Sequence, residues 1–327
     1  MRVHVLDDWF DTLRGLPSFR LLDGHDVTVW TDRAADEAAL AERMEDVEAL
    51  VLFRDRTPVT ESLIARLPDL RLVAMRGAHP HVDLDALTRA GVLFCSDKSA
   101  GGANLAAAEL TFALILAAAR GLPEQVASAR AGRWQAGVGR SLHGRTLGLY
   151  GYGRIGKAVA GYARAFGMEV VWWASDQGRA RAAADGERVA ESREAFFAGC
   201  DFVGLHKRLT PETRGEVTLT DLMAMRPDAV LVNTSRAELA APGALVDALD
   251  TGRPGPAALD VFDAEPVTDP ADPVISHPKV IPTPHIGFIT ADELEKQFAD
   301  IYRIVNAYAA GEPVHMVNPE VWQRQAG

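Results

Sequence analysis

Residues 145–173 read RTLGLYGYGRIGKAVAGYARAFGMEVVWW, and this stretch decides the fold. It parses as strand, glycine turn, helix, strand. Residues 146–150 form a short apolar run of buried-strand type. Gly151-Tyr152-Gly153-Arg154-Ile155-Gly156 then supplies a GxGxxG turn. Residues 155–166 have helical spacing, Gly167 suits the position just past a helix end, and residues 169–173 are β-branched and aromatic. In such a βαβ unit the first glycine allows the tight turn, the second lets a pyrophosphate approach, and the third lets helix pack on strand. The pyrophosphate would meet the free N–H groups and positive dipole end of the helix. A glycine-rich turn in an α/β protein without a nucleotide is the plainer alternative, and the complete βαβ context weighs against it.

Outward from this unit, 327 residues suffice for two domains with real cores. An apolar content of 48% with 24% charged residues is a globular profile rather than a disordered one. The net charge of −11 argues against nucleic acid as main partner, because phosphate binding needs a basic face. It leaves a small anionic substrate open, since a few local arginines attract one. Cys95 and Cys200 lie far apart in apolar context and read as reduced core thiols. No signal peptide is expected from MRVHVLDDWFD, and the apolar run at 110–119 is about half the ~20 residues of a membrane span. A cytoplasmic protein without membrane partners is the expectation.

Residues 1–100 alternate apolar runs (3–6, 27–30, 49–53, 72–75, 92–95) with helical segments (37–44, 60–67, 83–90), two of them opened by the capping residues Thr60 and Asp83. Such alternation predicts a parallel sheet covered on both faces, a domain in its own right. The first domain crossing is placed at the small, flexible run Ser99-Ala-Gly-Gly-Ala103. Helices at 105–120 and on to about Ala131 lead to the βαβ unit, followed by strands at 202–205, 229–232, 257–261 and 280–281. The expected fold is therefore α/β with two doubly wound parallel sheets: a substrate domain over 1–100, a dinucleotide-binding domain over 101–288, and a returning amphipathic helix and tail over 289–327.

Four segments end predicted strands beyond the glycine turn, on the side where doubly wound sheets bind ligands. In 230–236, VLVNTSR, the arginine's planar fork suits a carboxylate. In 258–266, ALDVFDAEP, Asp260 sits inside an apolar strand and needs a partner, a nicotinamide amide or a backbone N–H, while Glu265 precedes a proline. In 282–287, PTPHIG, two prolines stiffen the backbone around His285. In 205–211, LHKRLTP, His206 flanks the predicted cofactor cleft. Taken singly, the arginine reads equally well as a surface residue and the histidine as a hydrogen-bonded structural one.

Together and in this order, GYGRIG, LVNTSRAEL, ALDVFDAEP and TPHIG resemble the D-isomer-specific 2-hydroxyacid dehydrogenase family, its phosphoglycerate dehydrogenase-like branch, over nearly the whole chain. The resemblance implies a Rossmann NAD-binding domain beside a flavodoxin-like substrate domain. It implies that Arg236 holds the substrate's carboxylate and keto oxygen, that His285 donates or accepts the proton at the 2-oxygen, and that Glu265 hydrogen-bonds His285. Gly151, Gly153, Arg154, Ile155, Gly156, His206, Thr234, Asp260 and Gly287 become cofactor-site candidates. The chemistry agrees. An imidazole with a reference pKa near ~6.5 supplies a proton at neutral pH, and a neighbouring carboxylate favours its charged form. An arginine polarises the carbonyl while neutralising the carboxylate.

In the first domain, relatives bring the substrate carboxylate to amides of a glycine-rich loop after the fourth strand. Here that loop reads Met75-Arg-Gly-Ala-His-Pro-His-Val-Asp83, with Gly77 and Ala78 as candidates. Its bulky His79, Pro80 and His81 argue against a lactate-like substrate. Arg54 matches an arginine that several relatives aim at a second anionic group; a solvated arginine is the alternative. Relatives specific for NAD place an aspartate at the position of Ala174, to bind the adenosine ribose. Asp176 stands two residues on, so NAD is the preferred reading, while Ser175 and Arg179 leave NADP open.

The leading expectation is an NAD(P)-dependent D-2-hydroxyacid dehydrogenase acting on a small anionic 2-keto or 2-hydroxy acid, with the substrate between two closing domains. Formate dehydrogenases usually carry glutamine where Glu265 stands. A nucleotide-sensing binding protein of the corepressor type retains the same residue types, but carries flexible extensions absent here. The resemblance also implies a homodimer through residues 105–140. No metal site is expected.

Overall fold

The computed structural model describes residues 1–54, 56–97 and 105–326, apart from the side chains of 324–326. The Ser99–Ala103 crossing lies outside the described residues. The chain divides into two compact units: residues 1–103 with 291–327, and residues 104–290.

The first unit is a parallel five-stranded sheet of β1 (Arg2–Val5), β2 (Asp26–Val29), β3 (Ala49–Val51), β4 (Leu72–Arg76) and β5 (Leu93–Asp97). Their order, β2-β1-β3-β4-β5, is that of flavodoxin-like sheets. Thr60 and Asp83 cap their helices by accepting the amides of Leu63 and Ala86, each cap worth about 1 kcal/mol. The link from β1 to β2 carries two 3₁₀ helices, Leu13–Gly15 and Pro17–Leu22, where a doubly wound unit ordinarily has an α-helix. Asp8, fully buried, organises that departure by accepting the amides of Thr12 and Leu13. The amphipathic helix Ala291–Ala309 packs on β4, β5 and the Pro17–Leu22 turn of this unit.

The second unit holds β6 (Thr146–Tyr150), β7 (Glu169–Trp173), β8 (Phe202–Leu205), β9 (Val230–Asn233), β10 (Ala257–Leu259) and β11 (Val280–Pro282). All pair in parallel, in the order β7-β6-β8-β9-β10-β11. Val189 adds a single parallel bridge to Trp172, outside β7. Counting it as a reduced strand makes the order 3-2-1-4-5-6-7, the 3-2-1-4-5-6 order of dinucleotide-binding sheets extended by β11 at the far edge. Strand alternation distributes the core. Leu147 and Leu149 enter the cluster under the Ala106–Arg120 and Arg154–Ala165 helices, and Tyr150 enters the cluster with Phe196 and Phe197 on the other face. Cys95 and Cys200 are buried free thiols, each pushed up to about 12 by burial. Among the described residues, no single helix is long and apolar enough to cross a membrane.

Candidate active site

The order of the second sheet reverses between β6 and β8, the point at whose carboxyl strand ends doubly wound sheets bind ligands. Gly151 and His206 abut there. Gly151 has φ +116°, and a Cβ on it would stand 2.4 Å from the His206 carbonyl oxygen. The turn is seated from below by Tyr152, whose ring packs edge-on against Trp172 at 4.7 Å and whose hydroxyl donates to Asp185. Gly153 has ordinary extended backbone, and a Cβ there would meet nothing within 4 Å. That open space lies at the start of the Arg154–Ala165 helix, which no side chain caps. Gly156 sits 3.0 Å, measured from a built Cβ, from the Gly151 carbonyl. The cradle thus offers first-turn amides and free volume, as a dinucleotide pyrophosphate requires. Arg154 and Ile155 form its first turn.

Three further strand ends carry the reactive side chains. After β9, Asn233 is buried and folds the NTSR turn on itself: its Nδ2 donates to the Arg236 carbonyl at 2.9 Å and its Oδ1 accepts the Ser235 amide at 3.0 Å. Ser235 Oγ donates to the Leu205 carbonyl at 2.7 Å, tying the turn to β8. The Arg236 side chain is left exposed, with Nη1 on the Ser235 carbonyl. Thr234 shares a 2.7 Å hydroxyl contact with Thr111. Asn233, Ser235 and Thr111 were not read as site residues from the sequence. Asn233 is signalled there only as a polar residue closing an apolar strand.

After β10 and β11, His285 and Glu265 are joined directly, Nδ1 to Oε2. The other Glu265 oxygen accepts the Phe262 amide at 2.9 Å. Burial favours the neutral form of this carboxyl. Hydrogen bonds from His285 and Phe262, with the positive charge of Arg236, outweigh it and hold the group below its usual range. An ionised Glu265 can only accept, so Nδ1 carries the hydrogen and Nε2 is the imidazole atom left for a substrate. His285 itself adopts a left-handed backbone, φ +52°, a rare state for a residue with a side chain.

Asp260 holds that backbone in place. Only 1% exposed, it accepts the Thr283 hydroxyl at 2.6 Å, the Ile286 amide at 2.9 Å and the Gly287 amide at 2.7 Å. Burial pushes its carboxyl up from the ordinary value against those three bonds. The alternative of a backbone N–H partner is therefore realised at Asp260, twice over.

His206 keeps some surface at the rim, but its Nε2 is sealed from solvent with no hydrogen-bond partner. Enclosure lowers its pKa to about 4, so the ring is neutral. At the end of β7, Ala174 is buried with its methyl in the core. Ser175 caps the Asp176–Ala184 helix, and Asp176 pairs with Arg179. In the first unit, Arg54 (φ +64°) follows β3, and Gly77 (φ +99°) and Ala78 follow β4, on one carboxyl edge. Among the described residues, no cluster of histidine, cysteine and carboxylate side chains could hold a metal.

Comparison with known proteins matches residues 112–287 to the NAD binding domain of the D-isomer specific 2-hydroxyacid dehydrogenases. Glyoxylate reductase of Thermococcus litoralis is 32% identical over 312 residues, covering 91% of this chain and 92% of that protein. D-3-phosphoglycerate dehydrogenase of Mycobacterium leprae is 36% identical over 86% of this chain, which spans only 53% of the mycobacterial protein. The crystal structure of an oxidoreductase from Ralstonia solanacearum superposes with a TM-score of 0.91 at 42% identity, covering 98% of both chains.

Proposed function

The chain belongs to the D-isomer specific 2-hydroxyacid dehydrogenase family, and on that premise we propose how its own residues interconvert a 2-keto acid and its D-2-hydroxy acid. NAD, when bound, supplies or takes up the hydride at C2. Arg236 pairs its guanidinium fork with the substrate carboxylate and polarises the keto oxygen. His285 Nε2 gives a proton to the developing alkoxide, and takes it back in oxidation. Glu265, ionised and bonded to Nδ1, fixes the tautomer and stabilises the imidazolium. Arg54 and the amides of Gly77 and Ala78 receive the substrate's anionic groups. Gly151, Gly153, Arg154, Ile155 and Gly156 hold the pyrophosphate, while His206, Thr234, Asp260 and Gly287 border the rest of the dinucleotide.

The observation that carries this reading is the His285–Glu265 bond beside the charge of Arg236. Glyoxylate and 3-phosphohydroxypyruvate are the first substrates to offer, given what the relatives are named for. The test follows NADH absorbance with each keto acid. Turnover that vanishes in His285→Ala, with NADH still bound, supports the assignment. Tight NADH binding without turnover on any keto acid, together with nucleotide-dependent assembly, would replace it with the binding-protein alternative.

A homodimer is part of the proposal. The segment between the Leu122–Arg130 helix and β6 exposes Trp134 (76%) and Val138 (101%), and the helix exposes Leu122 and Val126. Such apolar side chains suit a second copy of the chain. Sedimentation velocity reads the state directly. A cytoplasmic location is part of the proposal, and the two buried free thiols fit it.

A further inference from the structure

In dinucleotide-binding sheets the residue type at the end of the second strand selects the adenosine ribose. A carboxylate there accepts the 2′-hydroxyl and repels a 2′-phosphate, whereas a nearby arginine receives the phosphate. β7 is that strand here, and its end carries no carboxylate aimed at a ligand. The Ala174 methyl is buried, and a Cβ built on Gly178 would stand 2.7 Å from it, so the helix start closes the space above Ala174. Ser175 spends its hydroxyl on the Gly178 amide at 3.3 Å. Asp176 turns outward, 96% exposed, and its carboxylate meets Arg179 at 2.5 Å.

The group that is fixed at this strand end is a cation. The Arg179 guanidinium lies over the Trp173 ring at 4.2 Å, and its Nη1 donates to the Ala174 carbonyl at 2.7 Å. Stacking and a backbone bond hold it half-buried without using all five of its N–H groups. Its partner Asp176 is an exposed i,i+3 carboxylate, and such pairs contribute little against a dianionic phosphate.

We propose that Arg179 reads the 2′-phosphate, so that this chain takes NADP(H) as well as NAD(H) and binds the phosphorylated form more tightly. The proposal rests on the dinucleotide reading of the glycine turn. It adds NADP(H) to the NAD reading, because the structure commits Asp176 to Arg179.

Isothermal titration of the full chain with NAD⁺, NADP⁺, 5′-AMP and 2′,5′-ADP tests it without any turnover. NADP⁺ is expected to bind about tenfold more tightly than NAD⁺, and 2′,5′-ADP more tightly than 5′-AMP, the size of one charge-assisted contact. Arg179→Ala should abolish both differences while still binding NAD⁺, which also reports that the variant is folded. Asp176→Asn should strengthen NADP⁺ binding. Tighter NAD⁺ binding by the unmodified chain, or a selective loss of NAD⁺ in Asp176→Asn, would overturn the proposal and return the ribose to Asp176. If the unmodified chain binds neither nucleotide, the dinucleotide reading of the site fails as well.

Discussion

Asp260 accepts the Gly287 amide at 2.7 Å, and a methyl on Gly287 would stand 2.8 Å from the same oxygen. The two residues are fitted to each other, and between them runs the loop that holds His285 at positive φ. Asp260→Ala would leave two amides without their acceptor, at about 1–3 kcal/mol each, and the Thr283 hydroxyl with only its 3.3 Å bond to the Leu259 carbonyl. A loss of at least about 3 kcal/mol is expected, lowering Tm by about 6–12 °C for a unit of this size. Gly287→Ala should push the carboxylate off the same amides. Because both changes break one clamp, the double variant should cost clearly less than the sum of the singles. Full additivity in thermal melts would show that Asp260 and Gly287 act separately.

The first two glycines of the turn should fail in different ways. Gly151→Ala places a methyl against the His206 carbonyl at a φ that side chains avoid, so it should cost more than about 2 kcal/mol or prevent folding. Gly153→Ala meets nothing in the protein and should melt close to the unmodified chain. Its methyl occupies volume assigned to the pyrophosphate, so NADH affinity should fall at least about tenfold. Fluorescence titration beside a melting curve separates the two effects. Undiminished NADH binding by Gly153→Ala would remove the cradle from the site.

Glu265→Gln keeps an oxygen for the Phe262 amide but loses the charge that stabilises a protonated His285. Keto-acid reduction at pH 7 should slow about ten- to a hundredfold, within the range that acid–base catalysis supplies. The defect should fall on kcat, with NADH binding intact. The Glu265 carboxyl is held below its usual range, so the charge that Glu265→Gln removes is present at neutral pH. Unchanged kcat with weakened NADH binding would assign Glu265 to loop geometry rather than to the proton.

Much of this site is legible in the chain because local signals and strand ends coincide. Residues 146–150 and 169–173 are strands as read, since each is a short, mostly apolar run with a glycine turn or a glycine helix end beside it. Arg236, Glu265 and His285 each follow a strand, so a parallel sheet delivers them to one edge without further information. What the sequence hides is direction. Spacing puts Asp176 and Arg179 on one turn of helix, but Trp173 and the Ala174 carbonyl decide that the arginine faces the strand end. The partners of Asp260 stand 23–27 residues downstream, beyond any local pattern. Val189 contributes one bridge, too short to read as a strand. The 3₁₀ link after β1 depends on Asp8 turning back to amides four and five residues on.

His206 makes the fold acid-sensitive in a predictable direction. Its folded pKa is lowered to about 4, against a reference near 6.5, because its ring is enclosed and its Nε2 has no partner. Between those values the unfolded chain binds a proton that the folded chain refuses, so stability falls as pH falls. At pH 5.5 the cost is about 1.4 kcal/mol, growing to about 3 kcal/mol near pH 4. Above pH 7 both states are neutral and the contribution vanishes. His206→Gln removes the titrating group, so the stability gap between it and the unmodified chain should shift by these amounts in its favour on acidification. Urea unfolding at pH 7.5, 5.5 and 4.5 measures the gap. A gap that stays constant across the three would mean that His206 takes up its proton in the folded state as readily as in the unfolded one.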